Sequence, residues 1–310
     1  MPLSLEAYVT TYLDGRNLPW PAAPKIDPPK ARPHLTRLPV RAVFWNVYGT
    51  LLAISGGELL FEHPTDFLMD AALDKTIQEF KMWNSMSRKP GAPAAYMKEL
   101  YNRAFGMLKM TGGEVQSERI WEDIVKKLIQ KEYSFDTGQF GALNEFVQKV
   151  AYFFHASIQG TGAYPGAARA VQDVAQSGMI QGLLADGQVF TPAQLVRGLR
   201  VQDPNFDLAA YCPPNLRILS AQKKARKPAD AIFRAALDAL SARKIEASEV
   251  LHVGSNMTRD IAPAKKFGMR TALFAGDKGS LVATPEQLKD PQYRPDVLLT
   301  ELSQIAEVVG

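Results

Sequence analysis

The chain has 310 residues and a mass of 34.2 kDa, which is more than one small domain needs and favours two domains. Its residues are 46% hydrophobic and 22% charged, a globular composition that excludes a mostly disordered, collagen-like or coiled-coil protein. The formal net charge of +4, from 36 Lys and Arg against 32 Asp and Glu, is too small to indicate nucleic-acid binding without a clustered basic face.

The sequence shows neither a disulfide framework nor a membrane-spanning pattern. Cys212 is the only cysteine, which excludes an intramolecular disulfide and a thiolate-rich metal site. No stretch approaches the ~20 apolar residues that a bilayer-spanning helix requires, and Met1 to Asp14 lacks the pattern of a signal peptide. We therefore expect a cytoplasmic protein with no membrane or nucleic-acid partner.

Residues 1–39 predict a short helix followed by an extended arm. Leu3 to Leu13 can form a helix that begins at Ser4 or Pro2. Prolines then recur from Asn17 to Pro39, where they remove backbone donors and prevent a helix. We expect the arm to lie as a strap on the surface of the protein; a peptide ligand for a partner and a clasp for a homodimer are the alternatives.

After the arm, strand and helix patterns alternate. The predicted strands cover residues 40–47, 180–185, 250–254 and 270–274, and the helices between them cover 167–176, 228–242 and 260–267. This alternation predicts an α/β fold with a doubly wound parallel sheet. Ligands bind such sheets at the carboxyl ends of the strands.

Residues 60–159 show helical periodicity instead. Apolar side chains such as Tyr101, Phe105 and Leu108 recur at i+3 and i+4 spacing. The predicted helices cover residues 67–82, 94–110, 115–131 and 139–157. Because this insert follows the loop of the first strand, where a lid over the strand ends has to begin, we expect a helical cap; a purely structural helical domain is the alternative. The core then comprises residues 40–59 and 160–310.

Four short segments follow predicted strands or precede predicted helices, where the topology brings them together. They are Asn46-Val47-Tyr48-Gly49-Thr50, Ala185-Asp186-Gly187-Gln188, Arg226-Lys227-Pro228 and Gly254-Ser255-Asn256-Met257-Thr258-Arg259-Asp260. In order, spacing and setting they resemble the four motifs of the haloacid dehalogenase (HAD)-like hydrolase superfamily. The resemblance covers about residues 40–58 and 160–275, and the insert matches the first cap type of that superfamily. It implies a Rossmann-like core.

This resemblance implies roles for the candidate catalytic residues. Asn46 stands where the superfamily has its nucleophilic aspartate. Tyr48 replaces the acid and base aspartate of the phosphatases, as in the Asp-x-Tyr-Gly-Thr pattern of the dehalogenases. Lys227 keeps the lysine of the third motif, and Asp260 keeps the last acidic position.

Four further positions are candidates for substrate binding by the same resemblance. Ala185 stands where a Ser or Thr hydroxyl holds the substrate anion, and Asp186 stands where dehalogenases have Asn. Ser255 replaces the magnesium-binding aspartate of the phosphatases, again as in dehalogenases. Thr50, together with the backbone amides after Asn46, can still bind a small anion.

These departures weaken the covalent chemistry of the superfamily at this site. A carboxylate can attack carbon or phosphorus and form an ester that water opens, whereas the amide of Asn46 is a far weaker nucleophile. Magnesium prefers anionic oxygen ligands, and Asp260 is the charged candidate that remains. We therefore expect no cofactor and at most weak magnesium binding.

Asp186 supplies a carboxylate close to the position of the lost one, so the charge of the pocket is kept. We expect Asp186 to pair with Lys227, which otherwise lies unpaired in a partly buried site. A protein of this kind is catalytically impaired and binds a small anion or a partner in a regulatory role. The alternative is an active haloacid dehalogenase- or phosphatase-type hydrolase that uses Asp186 or an activated water.

Overall fold

The computed structural model of the protein describes residues 1–86 and 93–309, so part of the predicted cap and Gly310 lie outside the described residues. The chain divides into two compact units. The helical unit comprises Met1–Ala22, Leu59–Gly160 and Gln188–Gln194, and the core unit comprises Ala23–Glu58, Thr161–Gly187 and Leu195–Gly310. In this division the N-terminal helix and the first residues of the Pro-rich arm, up to Ala22, group with the helical unit, and the rest of the arm groups with the core unit.

The core unit is built on a parallel sheet of six strands. The strands are β1 (Ala42–Trp45), β4 (Ile180–Ala185), β5 (Arg217–Leu219), β6 (Val250–Gly254), β7 (Arg270–Phe274) and β8 (Val297–Leu299). A separate two-stranded antiparallel sheet consists of β2 (Leu52–Ile54) and β3 (Thr161–Ala163). The order across the sheet is β5-β4-β1-β6-β7-β8, and every neighbouring pair is parallel. The four predicted strands are confirmed, whereas β5 and β8 were not predicted.

Helices cover both faces of this sheet, as the doubly wound prediction requires. On one face Phe44 packs in a cluster with Phe233. On the other face the indole N–H of Trp45 donates to Gln181 (2.8 Å), whose amide donates to the backbone oxygen of Val171 (2.8 Å). Because neighbouring residues of a strand point to opposite faces, Phe44 and Trp45 anchor one helical layer each.

The helices of the core unit lie close to their predicted positions. α7 (Ala167–Gln176) and α11 (Asp230–Ser241) precede β4 and β6, and a π-helical turn (Met257–Ile261) leads into α12 (Ala262–Lys266) before β7. The other helices are α8 (Thr191–Arg200), α9 (Leu208–Tyr211), α10 (Ser220–Lys223), α13 (Pro285–Lys289) and α14 (Ile305–Val309). The first residues of α8, up to Gln194, are grouped with the helical unit.

The pairing of β2 with β3 was not predicted from the sequence. Thr161–Ala163 forms β3, which pairs antiparallel with β2. The pairing joins segments more than 100 residues apart in the chain, since Ile54 faces Thr161. The local sequence of a short strand does not indicate a partner so far along the chain, so the pairing of β2 with β3 could not be predicted.

The helical unit contains the four helices predicted for the insert. They are α2 (Asp66–Glu79), α3 (Pro93–Met110), α4 (Ser117–Ile129) and α6 (Leu143–Ile158), with a short α5 (Thr137–Phe140) between the last two. α4 packs against α6 through Trp121 and Phe154, whose rings are 5.1 Å apart. The N-terminal α1 (Leu5–Ala7) continues as a π-helical segment (Tyr8–Leu13), and the Ser4 hydroxyl caps it.

The part of the arm within the core unit lies along β8. His34 and Leu298 exchange both backbone hydrogen bonds, at 3.0 and 2.9 Å. The arm therefore pairs with the edge of the sheet as a strap. None of the helices in the described part of the chain is both long and apolar enough to cross a membrane.

Candidate functional site

Asn46 directly follows β1, and both ends of its side-chain amide are held. Its Oδ1 accepts a hydrogen bond from Lys227 Nζ (3.0 Å), and its Nδ2 donates to the backbone oxygen of Tyr48 (2.8 Å). An ammonium group only donates and a carbonyl oxygen only accepts, so a single orientation of the amide satisfies both partners. These two contacts match an amide at position 46, because a carboxylate has no N–H to donate to the backbone oxygen of Tyr48.

Lys227 lies buried under the strand ends with a saturated ammonium group. Its Nζ donates to Asn46 Oδ1, to the backbone oxygen of Leu184 (3.3 Å) and to Asp260 Oδ1. Because an ammonium group carries three hydrogens, these three acceptors use all of them. In this arrangement Lys227 has no donor left for an incoming anion.

Asp260 is the buried partner of this lysine. Its second oxygen, Oδ2, accepts from the backbone N–H groups of Ser255 (3.1 Å) and Asn256 (3.0 Å) at the start of the π-helical turn. Burial raises the pKa of Asp260, but the charge of Lys227 and hydrogen bonds to the carboxylate outweigh burial and leave this pKa well below its usual range. Asp260 is therefore an anion whose lone pairs are committed.

His252 completes the buried side of the site. It lies in β6 with Nδ1 3.1 Å from the backbone oxygen of Phe44 and Nε2 3.5 Å from Asp260 Oδ1. Burial lowers the pKa of His252. Because a backbone oxygen only accepts, Nδ1 is the donor in the contact with Phe44. His252 is thus a buried histidine that is hydrogen-bonded to the backbone of the neighbouring strand.

Asp186 does not make the predicted ion pair with Lys227. Its Oδ1 accepts from the backbone N–H of Lys227 (2.8 Å), and its Oδ2 lies 3.6 Å from the guanidinium of Arg226. The prediction is wrong because the lysine side chain turns back under the strand ends towards Asp260. Burial raises the pKa of Asp186, although the charge of Lys227 opposes the rise.

The remaining predicted residues divide into two groups. Tyr48 and Ser255 line the cleft at the strand ends, as do Asn46, Asp186, Lys227 and Asp260. Thr50 and Ala185 are fully buried and are absent from that lining. The Thr50 hydroxyl lies 3.5 Å from Asn46 Nδ2, and Ala185 pairs with Leu219 within the sheet.

The cleft itself is small and charged. Its volume is about 30 Å³, which holds one or two water molecules. Three acidic and three basic side chains line it, so their formal charges cancel. These six residues are Glu58, Asp186, Asp260, Arg226, Lys227 and Arg259.

Three of these charged residues were not predicted as site residues. Glu58 accepts from Arg226 (2.6 Å) and from Arg259 (2.7 Å). The arginines could have been found, because each precedes a motif residue directly in the sequence. Glu58 follows Gly56 and Gly57 in the loop after β2, and only the fold places it in the cleft.

The oxygen atoms at the strand ends do not form a set of ligands that fits a magnesium ion. Asp260 has both oxygens committed to Lys227 and to backbone amides. The backbone oxygen of Tyr48 accepts a hydrogen bond from the side-chain amide of Asn46. The positive charge of the Lys227 ammonium group, which contacts Asn46 and Asp260, repels a second cation from this place. In the described part of the chain no three His, Cys, Asp or Glu side chains are grouped to hold a metal ion.

Comparisons with known proteins bear on this site and on the fold around it. A HAD-hydrolase-like family model matches residues 224–305, which contain Lys227, Ser255 and Asp260. A crystal structure of 2-haloacid dehalogenase from Pseudomonas syringae pv. tomato DC3000 matches with a TM-score of 0.52 at 19% identity, over 86% of this chain and 97% of that chain. The chain has a HAD-like hydrolase fold. The predicted resemblance is confirmed at this level.

Two other solved structures match this chain with lower TM-scores. A HAD phosphatase from Thermococcus onnurineus has a TM-score of 0.43 at 15% identity, over 86% of this chain and 96% of its own. A magnesium-bound HAD-hydrolase from Bacillus subtilis has a TM-score of 0.41 at 17% identity, over 87% of this chain and 97% of its own. No curated protein matches the chain in sequence.

Proposed function

We propose that this HAD-like protein does not carry out the covalent hydrolysis of its superfamily and instead binds a small anion in a regulatory role. One observation carries the proposal: the amide of Asn46 is fixed between Lys227 and the backbone oxygen of Tyr48. The place of the nucleophile is thus occupied by a neutral group with its oxygen turned to a cation. Such an oxygen is a poor nucleophile.

The other carboxylates of the cleft do not replace it. Asp260 Oδ1 and Oδ2 are both committed to buried donors. One oxygen of Asp186 accepts from a backbone amide, and the other lies beside Arg226. A nucleophile needs a free oxygen held ~3–3.5 Å from the reacting atom, and these contacts oppose that geometry.

Anion binding is supported by the basic side chains of the cleft. Arg226 and Arg259 are about one-third exposed, so their guanidinium groups can meet a solute. A guanidinium offers a fork of donors that fits two oxygens of one anion. The small volume of the cleft favours an anion of a few atoms.

One observation favours a second candidate, an active hydrolase. Asp186 lines the cleft, and burial raises its pKa. A carboxylate with a raised pKa is a better general base towards water. In this alternative Asp186 activates a water molecule, which attacks the substrate without a covalent intermediate.

A substrate panel separates the two candidates. We expect no release of phosphate from p-nitrophenyl phosphate and no release of halide from 2-chloropropionate, with or without magnesium. A phosphatase is the positive control for the first assay and a 2-haloacid dehalogenase for the second. Turnover on the scale of enzymes, about 1–10³ s⁻¹, contradicts the proposal. If Asp186→Asn then abolishes that turnover, the second candidate is correct.

Asn46→Asp is the companion variant. It restores a carboxylate beside Lys227 but places an oxygen against the backbone oxygen of Tyr48. Turnover by this variant alone supports the proposal, because it identifies the missing carboxylate as the cause of inactivity. Inactivity of this variant indicates that the binding groups of a substrate are also lost.

A further inference from the structure

One carboxylate holds both arginines of the cleft. Glu58 Oε2 accepts from Arg226 (2.6 Å), and Glu58 Oε1 accepts from Arg259 (2.7 Å). The hydrogen bond to Glu58 raises the pKa of Arg259. The two guanidinium groups, which come from separate motifs of the core unit, are therefore aimed at one place, and the two oxygens of the Glu58 carboxylate lie there.

The charges that line the cleft are balanced without a bound ion. Lys227 and Asp260 neutralise each other in the buried part of the cleft. The remaining lining charges are those of Glu58 and Asp186 against those of Arg226 and Arg259, which again sum to zero. An anion that enters leaves the cleft negative unless Glu58 withdraws from the arginines.

We propose that Arg226 and Arg259 form an oxyanion-binding site of phosphate-like chemistry and that Glu58 is its internal competitor. The inference rests on the proposed function and adds its binding residues and its control. A phosphate carries more charge and more acceptor oxygens than a carboxylate, so it can replace Glu58 at both guanidinium groups. Anions with a single weak charge compete poorly with Glu58.

The surroundings of Glu58 permit this exchange. Its side chain is 40% exposed, and the two arginine side chains are 37% and 32% exposed, so the ion pairs are worth little against water. Gly56 and Gly57 precede it with φ of +71° and +70°. A Cβ at Gly56 meets no atom within 4 Å, and glycines of this kind let the following residue change direction.

The test is calorimetric titration of inorganic phosphate into the full-length protein at neutral pH and low salt. Glu58→Gln keeps the size of the side chain and removes its charge, so we expect phosphate to bind roughly fivefold tighter or more than to the unsubstituted protein. Glu249→Gln is the matched control, because it removes the same charge from the distant Arg41 ion pair of the core unit. We expect this control to leave the affinity unchanged.

A second set of variants locates the site. In the Glu58→Gln background, Arg226→Gln and Arg259→Gln should each weaken phosphate binding at least tenfold. Glu58→Ala should bind phosphate as tightly as Glu58→Gln, which guards against a new contact made by the glutamine. Thermal unfolding without phosphate checks that each variant is folded.

The outcomes separate the two proposals. Equal affinity of the unsubstituted protein and Glu58→Gln overturns the role of Glu58 while anion binding stands. Binding that persists in the arginine variants places the anion elsewhere and overturns the whole inference, but leaves the proposed function. Absence of phosphate binding in every folded variant overturns both.

Discussion

At the scale of single residues, the buried groups of the site form a neutral set. Lys227 and Asp260 are each about 1% exposed at their side chains and are paired, and Asn46 adds an amide without charge. An aspartate at position 46 adds a second negative charge next to one lysine. The amide therefore suits a buried ion pair that is already balanced, because an uncompensated charge is costly in a buried place.

Replacing Lys227 by Met should be strongly destabilising. The variant leaves Asp260 as a buried carboxylate without its cation, which typically costs about 3–5 kcal/mol of unfolding free energy. Urea denaturation at pH 7 measures the loss. Lys98→Met in the helical unit is the control: its carboxylate partners Asp66 and Asp70 are exposed by 90% and 46%, so the expected loss is below about 1 kcal/mol.

The loss caused by Lys227→Met should also depend on pH. In the unsubstituted protein the pKa of Asp260 is lowered, so its contribution is complete above about pH 4 and disappears as the pH falls further. Without the lysine, burial raises this pKa, and stability falls as the pH rises from about 4 to 7. The difference between the two proteins must grow over this interval. A difference that stays constant shows that Asp260 is not the group involved.

At the scale of elements, the turn after β1 brings the first and last motifs together. Gly49 has a φ of +78°, a left-handed conformation that suits glycine. Its N–H donates to the backbone oxygen of Leu52 (2.7 Å), which closes the turn. A Cβ at this position lies 2.7 Å from Ser255 Oγ and 3.1 Å from Ser280 Cβ. The turn thus depends on glycine for conformation and for space.

Two alanine substitutions separate these requirements. Gly56 has a similar φ of +71°, but a methyl group added there lies in open space. Gly56→Ala should therefore lower the free energy of unfolding by about 1–2 kcal/mol through conformation alone. Gly49→Ala should cost about 1–3 kcal/mol more, because the methyl group meets Ser255 and Ser280. Chemical denaturation of both variants measures the difference. Equal losses indicate that the turn and the last motif are less closely packed than described.

At the scale of the whole molecule, the part of the Pro-rich arm that follows Ala22 is held by the core unit of its own chain. Leu38 donates its backbone N–H to Val308 (2.9 Å), and His34 pairs with Leu298. Asp27 accepts from Lys278 at 2.9 and 3.0 Å. These contacts support an arm that lies as a strap on its own chain. The backbone N–H groups of His34 and Leu38 are used within the chain, so they do not bind a second copy.

Hydrogen exchange tests the strap. The amides of His34 and Leu38 should exchange slowly, because both are bonded to the core unit. Their protection should not change with protein concentration, because the pairing is intramolecular. Protection that rises with concentration contradicts this expectation and indicates an arm that pairs with a second copy of the chain.

Local pattern was sufficient to predict most of the architecture. The runs that became β1, β4, β6 and β7 are apolar because both faces of the sheet are covered, and such runs are visible in the sequence. The periodic stripe of the insert likewise identified its four long helices. The site residues could be grouped because parallel strands bring their carboxyl ends to one edge.

The tertiary structure decided which of these residues touch. β5 and β8 have three residues each, too few for a periodic signal. The sequence predicted that Lys227 pairs with Asp186, but the lysine side chain runs under the strand ends and pairs with Asp260. Glu58 lies 168 positions before Arg226, and no local pattern links them. The sequence by itself determined β1, β4, β6 and β7, the long helices and the amide at position 46, because these are properties of single segments. The partners of each charge depend on distances between segments, and only folding sets those distances.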